Sequence, residues 1–171
     1  MAREQRTDVD YFPHDCTHGR KMHVIQKKYG NDGYAAWFKL LEELGKARNH
    51  YIDISEETTL MFLASTFDID EDKTILILTD LAKLGAINKF LFENFRVIWS
   101  EKFTNSIKDA YRKRTLKLYE YGDVLDEITA KNTQTDGGLT LKQVNPREND
   151  GSYPQSKVKY SKEEEISSTK I

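Results

Sequence analysis

The chain has 171 residues, 38% of them hydrophobic and 32% charged, and its formal net charge is −2. That length suits one domain with a remainder, and that polarity leaves part of the chain without a core to join. The near-neutral balance excludes a strong overall pull toward nucleic acid or anionic membrane. Cys16 is the sole cysteine, which excludes an internal disulfide framework and suits a reducing compartment. The first ten residues are polar and no run of about 18 apolar residues occurs, so the expectation is a cytoplasmic protein with neither signal peptide nor membrane span.

Residues 7–16 read as an extended opening, because Pro13 removes a backbone donor and holds Phe12 out of helical space. Tyr11 and Phe12 are its anchors into the core. A first helix is expected over residues 17–29, capped by Asp15 or Thr17, with Met22, Ile25 and Tyr29 near one face and Gly30 as its stop. A second, over residues 33–46, carries Tyr34, Trp37, Phe38, Leu40, Leu41 and Leu44 in a stripe wide enough for the centre of a core. Residues 51–54 alternate as a short strand. Ser55 is the candidate cap of a helix that buries Leu60, Met61, Leu63, Ala64 and Phe67. Asp70 caps a further helix over residues 71–84, which Gly85 ends.

Residues 86–92 and 95–99 read as the two strands of a hairpin turning at Glu93 and Asn94, with residues 51–54 as a third strand. Ser100 caps an expected helix over residues 101–121, closed by Gly122. Beyond it the pattern turns polar and rich in turn residues. The fold class is therefore mainly α with a small β-hairpin (α+β): a winged helix-turn-helix with flanking helices over residues 1–121, then a polar, mostly disordered tail over residues 122–171.

In such a fold the helix over residues 71–84 would enter the major groove. Its start is acidic, with Asp68, Asp70, Glu71 and Asp72, and acids repel the phosphates that dominate affinity. The wing offers only Lys89 and Arg96. Residues 100–120 hold six Lys+Arg against three Asp+Glu and read as the one concentrated positive feature. The candidate DNA contacts are therefore Lys108, Arg112, Lys113, Arg114 and Lys117, with Lys108, Arg112 and Lys117 near one helix face. A solvated helix face is the plainer account of the same residues. Phe90, Phe92 and Phe95 are the candidate partner contacts, since alternate positions of a wing face outward.

His14, Asp15, Cys16, His18 and His23 crowd together, but their spacing matches no usual zinc pattern, so no metal is expected; they brace or line the first helix. Neither phosphate-binding glycine pattern occurs, and no cofactor is expected. Glu42, Glu43, Glu56 and Glu57 read as solvated surface, so no catalytic residue is assigned and the chain is read as a non-enzyme.

Residues 10–15 (DYFPHD) and 29–41 (YGNDGYAAWFKLL), with residues 81–87 (LAKLGAI) running into the expected hairpin, resemble the N-terminal domain of replication-protein-like chains of phages, prophages and mobile elements. That domain is similar to the N-terminal winged helix of DnaD-type primosome proteins. The resemblance spans about residues 8–120. It implies a winged helix, no catalytic residues, and a place in DNA replication initiation or primosome recruitment. The leading expectation is a DNA-associated adaptor that holds duplex DNA weakly and recruits replication proteins. The alternative is a protein–protein or dimerisation module, a homodimer for example, that binds no DNA.

Overall fold

Gly30 sets the shape of the first helix. The computed structural model describes residues 6–135. Its longest element, α1 (Arg20–Lys46), is two helical arms joined at Gly30, whose φ of 64° and ψ of −142° belong to a region glycine alone adopts readily. The expected stop between two helices is therefore observed. Gly33 is buried where one arm meets the other. The expected caps Asp15 and Thr17 are not used; Gly19 occupies the N-cap without a side-chain bond.

α2 (Glu57–Phe67) and α3 (Glu71–Lys83) pack on α1 and on each other. Asp68 turns the chain between them in a left-handed conformation. The Asp70 carboxylate accepts from the Lys73 amide at 2.7 Å, so the expected cap of α3 is present. Leu40, Leu44, Leu63, Ile77, Leu78 and Leu81 form the centre of this three-helix core. Ser55 does not cap α2; its hydroxyl donates to Asp53, and Glu56 takes the N-cap position. Met61, expected inside, is 51% exposed.

The class is the expected one: mainly helical with a small antiparallel sheet. The sheet itself differs. β1 (Ile52–Asp53) pairs with β2 (Val97–Ile98), Ile52 opposite Ile98 and Asp53 opposite Val97. No hairpin forms over residues 86–99. Most of its expected first strand is α4 (Lys89–Phe95), and Glu93 and Asn94 lie inside that helix rather than in a turn. The cause is local. Asn88 accepts from the Leu91 amide at 2.9 Å and so caps the helix. No β-branched residue occurs in α4, and the buried pair Leu91 and Phe92 with half-buried Phe95 follows helical spacing.

The expected single helix over residues 101–121 is also divided. α5 (Glu101–Ser106) starts at Ser100 as expected, and α6 (Lys108–Tyr111) follows a break at Ile107. Residues 112–120 are not helical. The Asp123 carboxylate then accepts from the Glu120 amide at 2.9 Å, at the start of α7 (Tyr121–Thr135). Gly122, expected to close a helix, sits in the first turn of one.

α7 moves the end of the packed domain past residue 121. Its Val124 and Ile128 bury with Tyr51, Leu91, Val97 and Trp99 in a second apolar cluster. Glu127 fastens the helix, accepting from Tyr51 Oη at 2.9 Å, Asn49 Nδ2 at 3.2 Å and Lys131 Nζ at 3.0 Å. Burial pushes the Glu127 carboxyl up, but these donors and the Lys131 charge leave it below its ordinary range. The remainder of the expected tail, residues 136–171, lies outside the described residues. Among the described residues no helix is long and apolar enough to cross a membrane.

Candidate partner-binding site

The expected DNA-contacting residues do not share a helix face. Lys108 lies in α6, with its Nζ 3.9 Å from the Glu120 carboxylate. Arg112 and Lys113 are exposed at and just beyond the end of α6. Arg114 turns inward. Its Nη1 donates to the backbone carbonyls of Arg6 at 3.0 Å and Asp8 at 2.7 Å, and its guanidinium stands 4.6 Å from the centre of the Tyr111 ring. Lys117 lies 2.8 Å from Asp123, and its charge, with the Glu120 amide, holds the Asp123 carboxyl below the usual carboxylate range. Among the described residues the side chains of Arg112 and Lys113 alone of the five form no ion pair or hydrogen bond. The one-face geometry is corrected accordingly: the cluster is largely spent on holding the opening segment and the start of α7.

Arg114 has help. The Tyr111 hydroxyl donates to the Thr7 carbonyl at 2.8 Å and lies 2.7 Å from His50 Nε2, while His50 Nδ1 donates to the Leu44 carbonyl at 2.8 Å. Burial pushes the pKa of His50 below its ordinary value. Val9 adds an apolar plug and donates its amide to the Gly45 carbonyl at 2.9 Å. Replacing Arg114 by alanine should therefore cost about 1–3 kcal/mol in chemical denaturation, the range for a hydrogen-bonded charged group. Replacing the exposed Arg112 should stay within about 0.5 kcal/mol. Equal effects of the two substitutions would show that Arg114 is not a tether.

The wing candidates also change place. Lys89 lies 3.8 Å from Glu93 along α4, and Arg96 closes that helix in a left-handed conformation. Phe92 is buried in the main core. Phe90 and Phe95 are half-buried and meet edge to face at 5.9 Å. An outward aromatic pair on a β-ribbon is thus replaced by two rings packed against the second cluster.

A different feature is open. A cleft of 410 Å³ lies between residues 12–22, the second arm of α1, the turn at Gly85 and Ala86, and α5. Met22, Trp37, Phe38, Leu41 and Phe103 supply its apolar lining. The opening segment folds over one side because its rings find partners: His14 stacks flat on Phe38 at 4.1 Å, and Phe12 meets Phe103 edge-on at 5.6 Å. Arg20, Lys21 and Lys102 add positive charge to the lining, with Lys21 Nζ bonded to the Gly85 carbonyl and Lys102 Nζ 3.4 Å from Asp15.

These cations belong to a longer run. Residues 16–31 hold Arg20, Lys21, Lys27 and Lys28 and no acid. Charge counted over residues 1–99 as a whole masks this run, because 16 Asp+Glu outnumber 13 Lys+Arg there. Lys28 is taken up by Asp80, whereas Arg20 and Lys27 stand exposed. His14 and His18 border the cleft, and exposed Cys16 lies between them in sequence. Among the described residues no three His, Cys, Asp or Glu side chains gather as a metal site would require. Of the acidic pairs, Glu43 bonds Lys46 at 2.7 Å while Glu42, Glu56 and Glu57 are exposed.

The family model described as Lin1244/Lin1753-like, N-terminal, matches residues 11–103, more than half of the chain. The chain belongs to this family. The Lin1244/Lin1753-like match begins at Tyr11 and ends within α5. It takes in every cleft-lining residue except Ser106 and leaves Lys108, Arg112, Lys113, Arg114 and Lys117 outside. No curated protein and no solved structure matches this Lin1244/Lin1753-like chain.

Proposed function

We propose that this domain is a non-enzymatic adaptor that holds a protein partner in phage or mobile-element DNA replication, on a scaffold of the DnaD-like winged-helix kind. The helix–turn–helix order of α2 and α3, the return through β2 beside β1, and the resemblance of residues 10–15 and 29–41 support the scaffold. The observation that carries the choice of protein over duplex is the fate of the basic segment. Arg114 is bonded to two backbone carbonyls, Lys117 to Asp123, and Lys108 faces Glu120. α3, the helix that would enter a groove, begins with Asp70, Glu71 and Asp72 and exposes Leu76. Neither surface offers the set of free cations that phosphate binding uses.

Arg112 and Lys113 keep the rival reading alive, since both are exposed cations. Fluorescence anisotropy with a labelled random duplex at low salt separates the two. The full chain should show no saturable binding below about 100 µM, the weak end of ordinary non-specific affinity. Tighter binding that falls steeply with salt and vanishes in the Arg112→Glu, Lys113→Glu double variant would return the protein to the DNA-associated class.

A further inference from the structure

We infer that the cleft between the opening segment, α1 and α5 receives an acidic segment of a partner protein through one bulky apolar side chain. The inference rests on the adaptor reading above and adds the partner's chemistry. Its volume, 410 Å³, falls at the small end of the ligand-pocket range of about 300–1,000 Å³. Such a space seats an anchor side chain and its immediate neighbours, and the apolar lining selects against a polar one. The surroundings select for charge. Arg20 and Lys102 are exposed at the cleft, Lys27 continues the positive arm of α1, and no acid occurs between Asp15 and Asp32. Asp15 is the one carboxylate of the lining, and Lys102 faces it at 3.4 Å. An acidic chain passing along this rim meets a complementary field, which sets orientation and speeds encounter.

Single-stranded nucleic acid needs the same positive charge, but it also needs open ring faces on which bases stack. The rings here largely occupy one another. His14 covers a face of Phe38 at 4.1 Å with the planes 10° apart, and Phe103 is met edge-on by Phe12. A cavity among already paired rings takes an inserted side chain more readily than a stacked base. The half-buried Trp37 at the cleft then becomes a reporter, because the chain's other tryptophan, Trp99, is buried in the second cluster.

The test uses the full chain labelled with ¹⁵N and a synthetic peptide of about ten residues, glutamates around one central phenylalanine. Titration should move the indole resonance of Trp37, assigned with Trp37→Phe, and leave that of Trp99 in place. Replacing the peptide's phenylalanine by serine should abolish the shift. The Arg20→Glu, Lys102→Glu double variant alters exposed side chains only and should weaken binding about tenfold, with an unchanged far-ultraviolet spectrum. The proposal is overturned if Trp37 does not respond to millimolar peptide, if a lysine peptide with the same anchor binds equally well, or if an oligothymidylate of about ten nucleotides moves Trp37 at lower concentration. Failure here with no duplex binding leaves the adaptor reading standing on another surface. Duplex binding through Arg112 and Lys113 removes that reading whatever the peptide does.

Discussion

A chain ending at Glu120 should lose about 3–6 kcal/mol of unfolding free energy. The truncation removes Val124 and Ile128, both buried against Tyr51, Leu91, Val97 and Trp99. Full burial of each such side chain contributes about 1.5–3 kcal/mol. Whole domains are stable by only about 5–15 kcal/mol, so the truncated chain should sit near its unfolding threshold at 25 °C. The loss of Glu127 adds to this, because it leaves Tyr51 Oη and Asn49 Nδ2 without their acceptor. A point substitution checks the same claim more gently: Ile128→Ala should cost about 2–5 kcal/mol in urea denaturation. If the truncated chain unfolds at the wild-type midpoint, α7 is not part of the core.

Gly33→Ala should be strongly damaging although it adds a single methyl group. Its Cβ would lie 2.8 Å from Tyr29 Cβ and 2.9 Å from both Ile25 Cγ2 and the Ile25 carbonyl oxygen. Two of these three neighbours are backbone or the root of a side chain, so the arms of α1 must separate. Overpacking of this kind costs about 1–3 kcal/mol and sometimes more. Gly30→Ala should cost a similar amount, about 1–3 kcal/mol, for a different reason: the space is open, but the backbone has φ of 64°. Gly122→Ala serves as the contrast. It lies in α7 with nothing within 4 Å of the new methyl, and should stabilise the protein by about 0.4–1 kcal/mol. Three equal midpoints in chemical denaturation would refute both accounts of α1.

The parts of the fold that were legible in the sequence are those set by local chemistry. Gly30, Asp70 and Gly85 punctuate α1 and α3 through backbone conformation and capping, and the apolar spacing of Leu40, Leu41 and Leu44 needs no distant partner to be read. The hairpin was misread because phenylalanine and leucine serve both periods. The stretch from Lys89 to Phe95 has aromatic content suited to a strand, and the decision lay with Asn88, whose cap was overlooked. The basic segment was misread for a non-local reason. Arg114 is bonded to the carbonyls of Arg6 and Asp8, more than a hundred residues earlier, and a backbone carbonyl leaves no mark in a sequence. The cleft was hidden likewise: its lining comes from four separated stretches, and only the acid-free run over residues 16–31 signalled it.

The late position of α7 carries a cost during synthesis. Tyr51, Leu91, Val97 and Trp99 are all made before the helix that covers them, and 29 residues separate Trp99 from Ile128. At about 5–20 residues per second, a nascent chain presents that apolar surface for roughly 1.5–6 s before its cover leaves the ribosome. Slower translation between those two positions would lengthen the window in which a chaperone, or a neighbouring nascent chain, meets it first.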